Sequence, residues 1–280
     1  MIDFVLDNLL LLPFLFVTYL VLEAVEAKAG GALERTLERA RSMGPAIGAI
    51  AGAFPQCGFS AAAASFYSGG VITVGTLFAV FLSTSDELVP VLMSVEGVSA
   101  GLVAKIVAIK ATVALAVGFV VNALIVVLKG RNSPTPRIDE LCEHSHCSCH
   151  EHSGIVVPAL IHTAEIFVFI LVVSGAIELA CHFWGEGWIE SLALNRPYLG
   201  EAIGAAIGLI PNCAVSVACA QMYASGAMSA SALMASSFAG SGLGMLVLFR
   251  TNRNFKTNLA ILFAVYLLGL VLGRITGFLL

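Results

Sequence analysis

Six stretches of roughly twenty mostly apolar residues constrain this chain more than any other feature, because each can cross the ~30 Å hydrocarbon core of a bilayer as a helix. They run over Phe4–Ala24, Val71–Met93, Val103–Leu128, Ile155–Ala180, Met228–Phe249 and Leu259–Phe278. Of the 280 residues, 59% are apolar and 11% charged, less than half the charged share of about 25% in soluble domains. That balance excludes a water-soluble enzyme, a nucleic-acid binder and a disordered chain. It predicts an all-α integral membrane protein embedded in lipid. Asp3 and Asp7 stand where a signal peptide would be basic, so the first stretch is expected to be retained as a span.

Two further apolar stretches, Gly44–Tyr67 and Gly200–Tyr223, are cut in the middle by proline and a polar pair: Phe54-Pro55-Gln56-Cys57 and Ile210-Pro211-Asn212-Cys213. The two cuts are one sequence met twice. A shift of 156 positions lays Gly48–Leu92 on Gly204–Leu248 with 15 identities in 45, among them Gly52/Gly208, Pro55/Pro211, Cys57/Cys213, Ser60/Ser216, Tyr67/Tyr223 and Gly70/Gly226. Matched Pro, Cys, Ser and Tyr are not what chance resemblance between Ala-rich helices supplies. The expected organisation is a first repeat over 1–128, a linker over 129–154 and a second repeat over 155–280.

Counting Lys and Arg sets the topology. If each interrupted stretch is a re-entrant hairpin, entering and leaving on one face, then Lys28, Arg35, Arg39, Arg41, Lys129, Arg131, Arg137, Arg250, Arg253 and Lys256 share one side. Arg196 and Arg274 face the other, and Lys105 and Lys110, near the start of their span, are left uncounted. The positive-inside rule makes the crowded side cytoplasmic, with both termini outside. Three crossings per half is an odd number, so the halves are expected to be inverted. At ~1.5 Å per residue the 11 residues of Gly44–Phe54 descend roughly 16 Å, so two hairpins from opposite faces meet near the midplane. Paired interruptions of this kind point to a transporter's binding site.

The polar residues at these tips suggest ion chemistry. Cys57 and Cys213 place two thiols beside the amides of Gln56 and Asn212 and the hydroxyls of Ser60 and Ser216. Thiolates select zinc and thiophilic As(III), whereas amide and hydroxyl oxygens suit harder ions such as Mn(II), so the set does not name one metal. Cys181 and Cys219 lack counterparts in the other half and read as small apolar residues. Asp86 and Glu87, after Ser83-Thr84-Ser85 and before Pro90, suggest a second break and an ion or proton path. His162 and Glu165, three apart on one helix face, are further candidates for metal or proton relay. Only these four groups are expected to be titratable deep in the membrane.

The linker stretch Asp139–His152 carries Cys142, His144, His146, Cys147, Cys149, His150 and His152. So many soft ligands read as metal capture, in a spacing that matches no closed zinc finger.

The segments Ile-Pro-Asn-Cys-Ala-Val-Ser (210–216), Phe-Pro-Gln-Cys-Gly-Phe-Ser (54–60), Glu-Leu-Cys-Glu-His (140–144) and Leu-Val-Leu-Phe-Arg-Thr-Asn (246–252) carry a family resemblance. With them the chain resembles, over nearly its whole length, the ten-helix heavy-metal exporters of prokaryotes, described variously as manganese transporters or arsenic efflux proteins. The resemblance implies a multi-pass exporter of the prokaryotic cytoplasmic membrane. Six crossings plus two hairpins of two helices each agree with the ten helices.

The expected function is secondary export of a heavy-metal species, a divalent cation such as manganese or zinc or a thiophilic metalloid, by proton exchange and alternating access around the paired hairpin tips. No resident cofactor is required, and no Gly-x-x-x-x-Gly-Lys-Ser/Thr loop for ATP is present. A homo-oligomer is compatible with the sequence. Two other readings stay open: an intramembrane thiol enzyme, weakened by the absence of Cys-x-x-Cys and His-Glu-x-x-His, and a membrane metal sensor built on the linker.

Overall fold

The computed structural model of the protein describes residues 43–53, 58–84, 88–94, 99–129, 194–211 and 213–280, with scattered positions within 12–20 and 156–175. All regular structure among the described residues is helical. The helices are α1 (Met43–Gly52), α2 (Gly58–Ser68), α3 (Val74–Ser83), α4 (Leu88–Ser94), α5 (Ala100–Lys129), α6 (Leu199–Gly208), α7 (Cys213–Ala224), α8 (Ala230–Ala239), α9 (Gly244–Thr251) and α10 (Phe255–Gly277). Three stretches of the described chain are long and apolar enough to cross a membrane: Ala100–Leu128, Ala230–Thr251 and Phe255–Gly277. The described positions of the expected spans Phe4–Ala24 and Ile155–Ala180 are helical too.

Local structure is built in the same way at positions 156 residues apart. After α2, Gly70 takes φ 70° and Val71 N–H reaches back to Phe66 O at 2.9 Å; after α7, Gly226 takes φ 78° and Ala227 N–H reaches Met222 O at 2.8 Å. Both are helix ends that require a left-handed residue, which glycine adopts without a Cβ clash. The next helices start alike. Thr73 caps α3 by accepting from Thr76 N–H, and Ser229 caps α8 by accepting from Ala232 N–H; each satisfies an amide that the first turn leaves without a partner.

Helix packing follows the same spacing. A Cβ on Gly48 would lie 3.0 Å from Thr76 O and one on Gly52 2.6 Å from Val80 O; at the equivalent positions, Gly204 meets Ala232 O at 2.6 Å and Gly208 meets Ser236 O at 2.1 Å. Contacts that advance together along both helices make α1 run parallel to α3, and α6 parallel to α8. In lipid there is little hydrophobic force between helices, so such glycine seams, which let backbones touch, are what packs them. On the far sides, α5 runs antiparallel along α3 through Gly75 and Gly118, and α10 antiparallel along α8 through Gly269, Gly273 and Gly277. The second helix of each interrupted pair crosses over instead: α2 packs on α9, and α7 on α4.

The outer surface is apolar where a soluble protein would be polar. Leu259, Phe263, Leu267, Val271 and Ile275 form an exposed stripe at intervals of four along α10. Its opposite face buries Ile261, Val265, Gly269, Gly273 and Thr276. The stretch Ala230–Thr251 is by contrast largely enclosed by its neighbours.

Two expected continuous spans are broken. Val71–Met93 divides into α3 and α4, as its polar run and Pro90 predict. Met228–Phe249 also divides, into α8 and α9, which was not expected. Gly240 N–H closes α8 onto Ser236 O, Gly242 turns the chain at φ 54°, and Gly244 N–H bonds Ser241 O to begin α9. The signal was Gly240-Ser241-Gly242, the stretch equivalent to Thr84-Ser85-Asp86; a run of small residues without a charge reads as an ordinary membrane helix.

Candidate substrate site at the helix breaks

Both interrupted segments end their first helix beside a break in a neighbouring helix. α1 stops at Gly52, where a Cβ would lie 2.1 Å from Ser83 Oγ at the end of α3. α6 stops at Gly208, whose carbonyl is 3.6 Å from a Cβ built on Gly240 at the end of α8. From the other direction α2 brings Ser60 to the start of α9, its carbonyl 2.6 Å from a Cβ on Gly244. The described helix ends that flank the proline cuts thus lie beside the two helix breaks.

Of the residues that sequence reasoning selected, Ser60 is fully buried in α2, and Ser216 is half-buried in α7. Cys213 is the first residue of α7, its side chain outside the described set. Gln56, Cys57, Asp86, Glu87, His162, Glu165 and Asn212 lie outside the described residues, as does the whole linker with Cys142, His144, His146, Cys147, Cys149, His150 and His152. Among the described residues no three His, Cys, Asp or Glu side chains come together as a metal cluster. Cys219 fits its reading as a small apolar residue: it is 1% exposed, and its sulfur accepts from Ser236 Oγ at 3.5 Å.

The structure adds two buried charged groups to the four expected. Lys110, left uncounted near the start of its span, is 1% exposed. Its Nζ donates to Ser237 Oγ at 2.6 Å, to Ser237 O at 2.9 Å and to Thr84 O, and sits 5.9 Å from the centre of the Phe238 ring. Glu201, in the first turn of α6, is 2% exposed and paired with Arg274 of α10 at 2.7 Å. Arg274 stands in the last turn of α10, inside the expected span Leu259–Phe278. The only signal for Lys110 in the sequence was a lysine ten residues into a long apolar helix; nothing local to Glu201 announced Arg274.

An apolar outer surface and glycine-packed spanning helices define a polytopic helical membrane protein. Residues 9–183 match the ArsP_2 family, described as "Putative, 10TM heavy-metal exporter", and the chain belongs to that family. Neither a curated protein nor a solved structure matches the sequence.

Proposed function

We propose that this chain is a secondary exporter of a heavy-metal species, a divalent cation such as manganese or zinc or a thiophilic metalloid, working by alternating access around the paired proline cuts. The observation that carries this reading is that the helix ends flanking both cuts lie beside both helix breaks, because broken helices in a bilayer are tolerated where they face protein or line a wet cavity. Family membership supports the cargo class.

The contacts also support the hairpin reading of the interrupted segments. α1 runs parallel to α3, yet α2 lies between them and leads into α3 through the short stretch 69–73. A chain that comes back along α2 to the level at which α1 began fits these contacts. In the other half, Leu194 O accepts from Ser229 N–H at 3.5 Å and lies 2.4 Å from a Cβ on Gly200, which holds the starts of α6 and α8 together. Two such hairpins in inverted halves would present Cys57, Gln56 and Ser60 opposite Cys213, Asn212 and Ser216 as one substrate site. Asp86 and Glu165 would carry the exchanged protons, since a carboxylate at depth is costly when charged. The linker, on the cytoplasmic face with both termini outside, would gather metal for the site.

Purified protein in proteoliposomes carrying internal metal-sensitive dyes tests this. Mn2+, Zn2+ and arsenite are offered in turn across an imposed pH gradient. Gradient-dependent flux of at least one is expected, with the pH dependence lost in Asp86→Asn or Glu165→Gln. No flux of any of them would refute the exporter.

A further inference from the structure

A lysine ammonium buried within an apolar helix is costly and persists only where oxygen atoms satisfy it. The source of those oxygens is informative. Thr84 is the C-cap of α3, and Ser237 lies in the last turn of α8. Ending a helix frees its last four carbonyls from intrahelical amides. At α8 the Ser236 carbonyl accepts from Gly240 N–H, and the Ser237 carbonyl accepts from Lys110. Two helix C-termini, one from each half of the sequence repeat, thereby direct partial negative charge at one point. With Ser237 Oγ they form, among the described residues, a cradle of three oxygens for a cation, and carbonyl ends of interrupted helices are the groups that coordinate ions in repeat-built transporters. Oxygen donors favour a hard divalent ion over a thiophilic one.

We infer that Lys110 is a tethered cation, whose ammonium holds the cradle of Thr84 O, Ser237 O and Ser237 Oγ while no metal is bound and yields it to the transported divalent cation during the cycle. The inference rests on the exporter reading and deepens it. It makes an oxygen cradle part of the ion path, beside the thiol pair, and it gives the metal a competitor that pushes it off when the ammonium returns. The site joins the two halves, since its oxygens come from α3 and α8 and its cation from α5.

The wild-type chain tests this first. Reductive methylation of detergent-solubilised protein, read at Lys110 by mass spectrometry, should be slow without metal and several times faster at saturating Mn2+, because the displaced ammonium leaves its cradle. Equal labelling with and without Mn2+, in protein shown to transport Mn2+, overturns the inference. Flux of arsenite with none of Mn2+ or Zn2+ also overturns it while the exporter reading stands; absence of all flux fails that reading itself. Lys110→Met should bind Mn2+ more tightly and transport it about tenfold more slowly, the rate equivalent of losing one charged hydrogen bond. A merely structural lysine gives no gain in affinity. Should that variant not fold, Ser237→Ala removes one acceptor and keeps the main-chain oxygen. Its Lys110 should then methylate several times faster than wild type without metal, and an unchanged rate counts against the cradle.

Discussion

At Glu201 a carboxylate with 2% exposure is held by one ion pair, Arg274 Nη1 to Oε1 at 2.7 Å, while Oε2 has no hydrogen-bond partner among the described residues. The guanidinium is itself fixed in place, 4.5 Å from the Tyr198 ring centre and 4.9 Å from that of Phe278. Removing one member of such a pair costs more than removing both, because the survivor is left as an uncompensated buried charge. Arg274→Ala should therefore lower the unfolding midpoint, because it leaves the buried Glu201 carboxylate without its partner. Glu201→Gln with Arg274→Ala should recover part of that loss. Thermal unfolding in detergent checks this, and a double variant as unstable as the sum of the singles would contradict it. Neither this pair nor the Lys110 cradle was legible in the sequence. Arg274 counts as one more basic residue near a helix end until α6 and α10 are brought together across 73 positions. The cradle is likewise made of main-chain oxygens, which carry no residue-type signal.

Helices and their junctions were more legible, because they follow from glycine, proline and the length of apolar runs. The proline cuts, the break after Thr84 and the spans Val103–Leu128 and Leu259–Phe278 all correspond to helix boundaries or helices of the structure. The break at 240–243 escaped because glycine and serine suit a close helix contact as well as a turn. Glycine's two uses can be separated by substitution. At Gly208 a Cβ would stand 2.1 Å from the Ser236 carbonyl oxygen, so alanine must push α6 from α8. Gly226 has φ 78° and nothing within 4 Å of a Cβ, so alanine there meets only the left-handed penalty. Gly208→Ala is expected to cost about 3 kcal/mol by overpacking, and Gly226→Ala about 1 kcal/mol. Unfolding midpoints in detergent give the order; equal losses would mean that the seam is looser than the contacts imply.

For the whole molecule, the 156-residue repeat accounts for the matched caps, the matched glycine seams and the crossing of α2 onto α9 and of α7 onto α4. Interleaving of this kind makes neither half a self-contained unit. It also brings Ser60 of one half against the helix break of the other, so a cargo bound at the proline cuts would be held by both halves at once. That is the central claim, and a double-mutant cycle on Cys57 and Cys213 tests it most directly. Apparent affinity for each transported ion is measured by vesicle flux for wild type, Cys57→Ala, Cys213→Ala and the pair. Ligands of one ion are coupled by ~0.5–3 kcal/mol, whereas independent sites add to within roughly 0.5 kcal/mol. The account predicts a double variant less impaired than the sum of the singles, with losses larger for Zn2+ than for Mn2+. Small, additive losses that do not depend on the ion offered would contradict it, and would leave both cysteines as packing residues.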